Sequence, residues 1–134
     1  MQLRLTATGP AHPDEVWDRY LRPRRWSEWS PQIRRVERST EEIHVGTTGR
    51  VWGPPGLAVD FTVTDVDAGA RTWSWRVRVL LLGIHLALRH GVEAHDPDDP
   101  GAGTRTWLEV SGARPVVLGY APLARLALAR LVRP

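Results

Sequence analysis

The run Pro13-Asp14-Glu15-Val16-Trp17-Asp18-Arg19-Tyr20, with Arg25-Trp26-Ser27-Glu28-Trp29-Ser30-Pro31 close behind it, places a capped amphipathic helix directly before a Trp-x-x-Trp-x-Pro turn. Pro13 suits the first helical position, where the missing N–H would be unpaired in any case. Asp14 and Glu15 follow in the turn where acids oppose the helix dipole favourably. Val16 with Tyr20, and Trp17 with Leu21, are i, i+4 neighbours that share an inward face. Pro23 stops the helix, and a second short turn carries Trp26 and Trp29 back to the same neighbourhood. The pairing points to a fold built around a cavity.

On the N-terminal side, Met1-Gln2-Leu3-Arg4-Leu5-Thr6 alternates apolar and polar residues and reads as a first strand, not a signal peptide. On the C-terminal side, segments 33–38, 47–53, 57–66, 71–80, 84–94 and 104–111 are rich in β-branched or aromatic residues and are bounded by turn chemistry. Asp65 to Ala70 joins two of them as a hairpin, and Asp96 to Gly103 joins the last two. Consecutive hairpins mean an antiparallel sheet. The last segment changes period: Val116, Val117, Tyr120, Leu123, Ala124, Ala127, Leu128 and Leu131 recur at helical spacing, with Arg125, Arg130 and Arg133 elsewhere on the surface. Gly119 and Pro122 make its start irregular or delay the regular helix to about Pro122. The fold class is therefore α+β, in one domain over residues 1–134: a strand, two short helices, about six further strands and a long helix that covers one face of the sheet.

Period-two alternation sets the faces. Trp73, Trp75, Val77 and Val79 share one side of their strand, opposite Thr72, Ser74, Arg76 and Arg78. Ile84, Leu86, Leu88, His90, Val92 and Ala94 share a side of the next, and Phe61 with Val63, and Thr106 with Leu108 and Val110, extend the same inner surface. Large rings on that surface either fill a core or wall a pocket. His90 and Thr106 among them favour a pocket, because a dry core does not choose polar groups without partners.

Composition removes several function classes. There is no cysteine, hence no disulfide framework and no thiolate metal site or cysteine nucleophile. All 18 basic residues are arginine and are scattered against 15 acids, leaving a formal net charge of +3; only Arg22 to Arg25 and Arg34-Arg35 cluster, unlike the one-sided basic face of a nucleic-acid binder. The five histidines lack metal-ligand spacing, and Asp96, Asp98 and Asp99 lie in a Pro- and Gly-rich turn without the calcium-loop pattern. Neither a Gly-x-Ser-x-Gly elbow nor a phosphate-binding loop occurs. No apolar run approaches the roughly 20 residues of a membrane span, so the expected location is cytoplasmic.

Ala-x-Pro-x-Glu-Val-Trp-Asp at Ala11 to Asp18, Trp26-x-x-Trp29-x-Pro31, Gly46-Thr47-Thr48-Gly49, Thr64-Asp65-Val66-Asp67, Trp73-x-Trp75, His90-x-Val92-Glu93, Gly103-Thr104-Arg105 and the terminal helix together resemble the START-like superfamily, also labelled SRPBCC or polyketide cyclase/dehydrase. The resemblance implies the helix-grip fold, a curved antiparallel sheet of about seven strands wrapped around the C-terminal helix, with a hydrophobic cavity between them. Its members include cyclases, dehydratases, lipid and sterol carriers and hormone receptors, and none of their catalytic residues matches a position here.

These observations converge on a ligand-binding site formed by Trp26, Trp29, Phe61, Trp73, Trp75, Leu88, His90, Tyr120 and Leu123. The ligand expected is a mostly apolar small molecule of lipid, polyketide or sterol type, bound by a monomer or weak homodimer without a cofactor, a metal, nucleic acid or integral membrane association. His90 is the best candidate for chemistry, either orienting a ligand carbonyl or serving as a general base, against the plainer role of a buried histidine bonded to its neighbours. The alternative function is a polyketide cyclase or dehydratase using His90, with Tyr120 or an arginine, to polarise a carbonyl. The turn Pro54-Pro55-Gly56 is placed at the cavity mouth. The arginine-bearing terminal helix could lie on an anionic membrane, but its apolar stripe reads first as the lid of its own sheet.

Overall fold

The computed structural model describes residues 1–134 other than Pro55, Leu80 and Leu81, with Pro100 described by its backbone alone. Strand β1 (Gln2–Gly9) leads into helix α1 (Pro13–Leu21), a 3₁₀ turn (Pro23–Arg25) and the short helix α2 (Trp26–Trp29). Strands β2 (Arg35–Arg38), β3 (Thr48–Gly53), β4 (Leu57–Asp67), β5 (Thr72–Val79), β6 (Ile84–Asp96) and β7 (Asp99–Gly112) follow, and helix α3 (Arg114–Leu131) closes the chain. All strands belong to one antiparallel sheet in the order β1-β7-β6-β5-β4-β3-β2. Register shifts at Val63/Asp65 and at Ala94/Asp96 add the local twist that curls this sheet around its apolar face.

Three local arrangements position that face. At the start of α1 the His12 Nδ1 accepts the Asp14 N–H at 3.1 Å, and Val16, Trp17 and Tyr20 are buried while Leu21 is half-buried. Helix α1 ends just before Pro23, and Arg25 ties the turn together by donating to Glu15 at 2.7 Å, Asp18 at 2.8 Å and Glu28 at 3.2 Å. Those carboxylates hold the Arg25 pKa above its ordinary value. At the other end, Arg19 donates to the Leu131 and Arg133 carbonyls, both at 2.6 Å, and supplies the cation that the C-terminus of α3 favours. The Ala11 N–H donates to the Val132 carbonyl at 3.0 Å, so α3 is pinned to the segment between β1 and α1.

Two sequence expectations change. Helix α3 is regular from Arg114, not from about Pro122, because Pro122 removes a single backbone bond while Val117 and Ala121 on the preceding turn are buried against the sheet. The β6–β7 connection is much tighter than Asp96 to Gly103: Asp96 pairs with Asp99, and the Asp96 Oδ1 and Asp99 Oδ1 accept the N–H groups of Asp98 and Gly101. Side chains that imitate backbone turns let the ladder continue through a stretch that composition marks as loop. Leu80, the expected end of one strand, and Pro55 of the expected mouth turn lie outside the described residues.

Candidate functional site

Helix α3 packs on β1 and β7 and against α2, and leaves the inner face of β3 to β6 partly uncovered. The deep part of this space is filled. Trp26, Trp73 and Tyr20 are fully buried, and their rings interlock: Trp26 stacks on Trp73 at 5.8 Å, Tyr20 meets Trp73 and Trp29 edge-on at 5.5 Å, and Trp75 approaches both Trp26 and Trp73 at 5.2 Å. Above this aromatic floor lies a cavity of about 220 Å³. Trp75, Val77, Val79 and Val59 from the sheet, Ile33 and Gln32 after α2, and Tyr120 and Leu123 from α3 line its accessible part.

Of the residues expected at the site, Trp26, Trp29, Trp73, Trp75, Leu88, His90, Tyr120 and Leu123 come together on this cavity, whereas Phe61 does not reach it. Phe61 is buried with its ring 5.3 Å from Trp26 and 5.7 Å from Trp75, where it props the two indoles from behind. Leu123, expected on the inward stripe of the helix, is 45 % exposed and stands at the mouth together with Leu57. Val79 and Leu86, which alternation sets on the inner surface, also line the cavity, as do Val59 and Ile33, which the sequence did not single out. Val59 was findable from parity alone, since it shares the face of Phe61.

His90 sits in a hydrogen-bond chain whose direction is forced. Indole N–H is only a donor, so Trp75 Nε1, 3.0 Å from His90 Nε2, makes that nitrogen an acceptor and leaves the ring proton on Nδ1. Nδ1–H then donates to the Tyr20 hydroxyl at 3.2 Å, Tyr20 O–H to Thr106 Oγ1 at 2.9 Å, and Thr106 O–H to the Gly91 carbonyl at 2.9 Å. Burial pushes the His90 pKa down to about 3, and Trp73 stacks on its ring at 4.6 Å. Both ring nitrogens are therefore engaged, and a general-base role would require breaking the Trp75 bond. Burial also raises the Tyr20 hydroxyl and pushes that of Tyr120 up to about 12, so both remain protonated. Trp73 Nε1 and Gln32 Oε1, on two lining residues, are buried and have no hydrogen-bond partner among the described residues.

A broader depression of about 870 Å³ lies on the outer face of the sheet, among Arg38, Arg50, Asp60, Arg76, Arg78 and His85. It is open to solvent, and Asp60 engages Arg50 at 2.7 Å, which holds the carboxyl below its ordinary range. Its charges are exposed and its shape is a shallow opening to solvent, which make it the weaker site. Among the described residues no group of three His, Asp or Glu side chains is placed to hold a metal ion, and no helix is long and apolar enough to cross a membrane.

Comparison with known proteins agrees with the fold. The crystal structure of Ara h 8.0201 superposes with a TM-score of 0.75 at 13 % identity, covering 98 % of this chain and 94 % of that one. A structure of a protein from Nitrosospira multiformis superposes with a TM-score of 0.79 at 16 % identity and the same coverage. At such identities the likeness is one of fold. No curated protein matches the sequence. The model of the polyketide cyclase/dehydrase and lipid transport family matches residues 2–134, and the chain belongs to that family within the START-like superfamily.

Proposed function

We propose that this protein binds a mostly apolar organic molecule in the cavity between its sheet and α3. The observation that carries this reading is a cavity of about 220 Å³ left above an otherwise interlocked aromatic floor. A cavity of about 150 Å³ lined by apolar side chains is enough to hold benzene, and drug-sized ligands use roughly 300 Å³ or more. The volume therefore favours a one- or two-ring aromatic or a short acyl compound over a sterol. The unpartnered Gln32 Oε1 on the half-buried wall residue favours a ligand that carries a donor, such as a phenolic or hydroxy-carbonyl compound.

Titrating naphthols, indoles and short-chain hydroxy-ketones while following tryptophan emission, with native mass spectrometry on the same mixtures, tests this. Saturable emission change with one-to-one adducts is expected, at micromolar to millimolar affinity once association costs are subtracted from apolar burial. No adduct and no emission change across the panel would overturn the reading. A cyclase or dehydratase acting on the same ligand is the second reading, and Tyr120 favours it: a hydroxyl kept protonated on the cavity wall can donate to a carbonyl that develops charge. Tyr120→Phe then abolishes turnover and retains binding; equal turnover by the variant would remove that mechanism.

A further inference from the structure

The cavity mouth opens at one end of the sheet, and the ladder shows which segments meet there. Leu57 pairs with Gly53, Val59 with Val79, Val79 with Ile84, and Leu86 with Gly112, immediately before α3 begins at Arg114. The β3–β4 turn, the β5–β6 turn and the first half of α3 therefore share that end. Among the described residues, most of the large apolar side chains that face solvent are found here: Leu57, Leu82 at 65 % exposure, Leu118, Leu123 and Met1. The acids that border this end, Asp60 and Glu109, are already paired with Arg50 and Arg4, each at 2.7 Å. Among the described residues, 1–3, 33–35, 52–54, 56–59, 82–87 and 110–134 contain neither Asp nor Glu, while exposed Arg34 and Arg114 stand there and Arg125 follows along α3.

We infer that this mouth end is a docking surface for an anionic lipid bilayer, with Leu82, Leu118 and Leu123 entering the interface and the arginines meeting lipid phosphates. Isolated exposed leucines need no explanation, but several from separate segments around one cavity mouth do. Aliphatic side chains beside exposed arginines that are unpaired among the described residues fit the boundary between headgroups and acyl chains, where apolar burial and attraction to anionic lipid act together. The buried stripe of α3 still faces the sheet, so the helix serves as lid on one side and as membrane contact on the other. An apolar guest could then pass between bilayer and cavity without crossing water. That consequence rests on the ligand-binding reading; the docking itself does not.

Flotation with phosphatidylcholine vesicles, with and without phosphatidylglycerol and in the absence of any ligand, tests the docking alone. The wild-type chain is expected to float with the anionic vesicles, less with the neutral ones, and less again at high salt. Leu82→Glu/Leu118→Glu should weaken anionic-vesicle binding about tenfold or more, and Arg34→Gln/Arg114→Gln about tenfold with loss of the salt dependence. These positions are exposed and lie off the cavity wall, and unchanged urea midpoints verify folding. The arginine pair keeps the test decisive if the leucine pair is destabilised. Failure of the wild-type chain to float, or flotation of both double variants at wild-type level, overturns the inference. So does a wild-type dimer in sedimentation velocity that Leu82→Glu/Leu118→Glu dissociates, because that face would then belong to a second copy.

Discussion

Neutral His90 is held by its neighbours, not tuned for proton transfer, and this distinction has a measurable consequence. Its folded-state pKa of about 3 lies well below the ordinary value of 6.5 because burial disfavours the imidazolium. As pH falls from about 6.5 towards 3, the unfolded chain takes up a proton that the folded chain refuses. Stability is therefore complete above the unfolded value and declines by up to about 1.4 kcal/mol per pH unit below it. Asp14, Asp18 and Asp60, lowered from 3.8, add their own losses only at the acid end of that window. Urea midpoints between about pH 5 and 6.5 should slope downward with acid in the wild-type chain, and His90→Gln, which keeps amide hydrogen bonding but cannot protonate, should flatten that slope. An unchanged slope in the variant would locate the proton uptake elsewhere. Tyr20→Phe tests the same chain from its middle. It strands the His90 Nδ1–H and should cost about 1–3 kcal/mol, while leaving the pH dependence in place.

At the level of elements, close approach at small residues decides where the lid sits. A Cβ on Gly9 would lie 2.4 Å from the Val132 carbonyl oxygen and 2.7 Å from its Cγ2, so β1 admits the end of α3 only because Gly9 has no side chain. Gly9→Ala is expected to cost about 1–3 kcal/mol by forcing these backbones apart, read as a fall in the urea midpoint. A wild-type midpoint would mean the end of α3 is not seated there. Much of this layer was legible in the sequence. Pro13, Asp14 and Glu15 marked the start of α1, Pro23 its end, and the alternation through Trp73 to Val79 and Ile84 to Ala94 gave the faces that the ladder displays. The start of α3 and the β6–β7 turn were less legible for a shared reason: proline and aspartate preferences are local, whereas burial of Val117 and continued pairing with β6 are supplied from across the fold.

For the whole molecule, periodicity tells which way a side chain points but not how near the opposing surface comes. Tryptophans on the inner face were therefore readable, while their division into a packed floor and an open wall was not. Trp26 and Trp73 close on each other at 5.8 Å and exclude solvent, whereas Trp75, two residues along from Trp73, keeps part of its surface on the cavity. Likewise His90 was identifiable as a buried polar residue, but its partner Tyr20 lies 70 positions away and no sequence pattern links the two. A space kept open in this way forgoes packing that the fold could otherwise gain. Val77 is half-buried on the cavity wall beside Trp75, so Val77→Phe directs a ring into the empty volume. The variant should be more stable by about 1 kcal/mol, from the added apolar burial, and should lose ligand-induced changes in tryptophan emission. Gain of stability with loss of binding would mark the cavity as a site maintained at the expense of packing. Undiminished binding by the filled variant would instead place the ligand outside it, and the outer sheet depression would become the site to test.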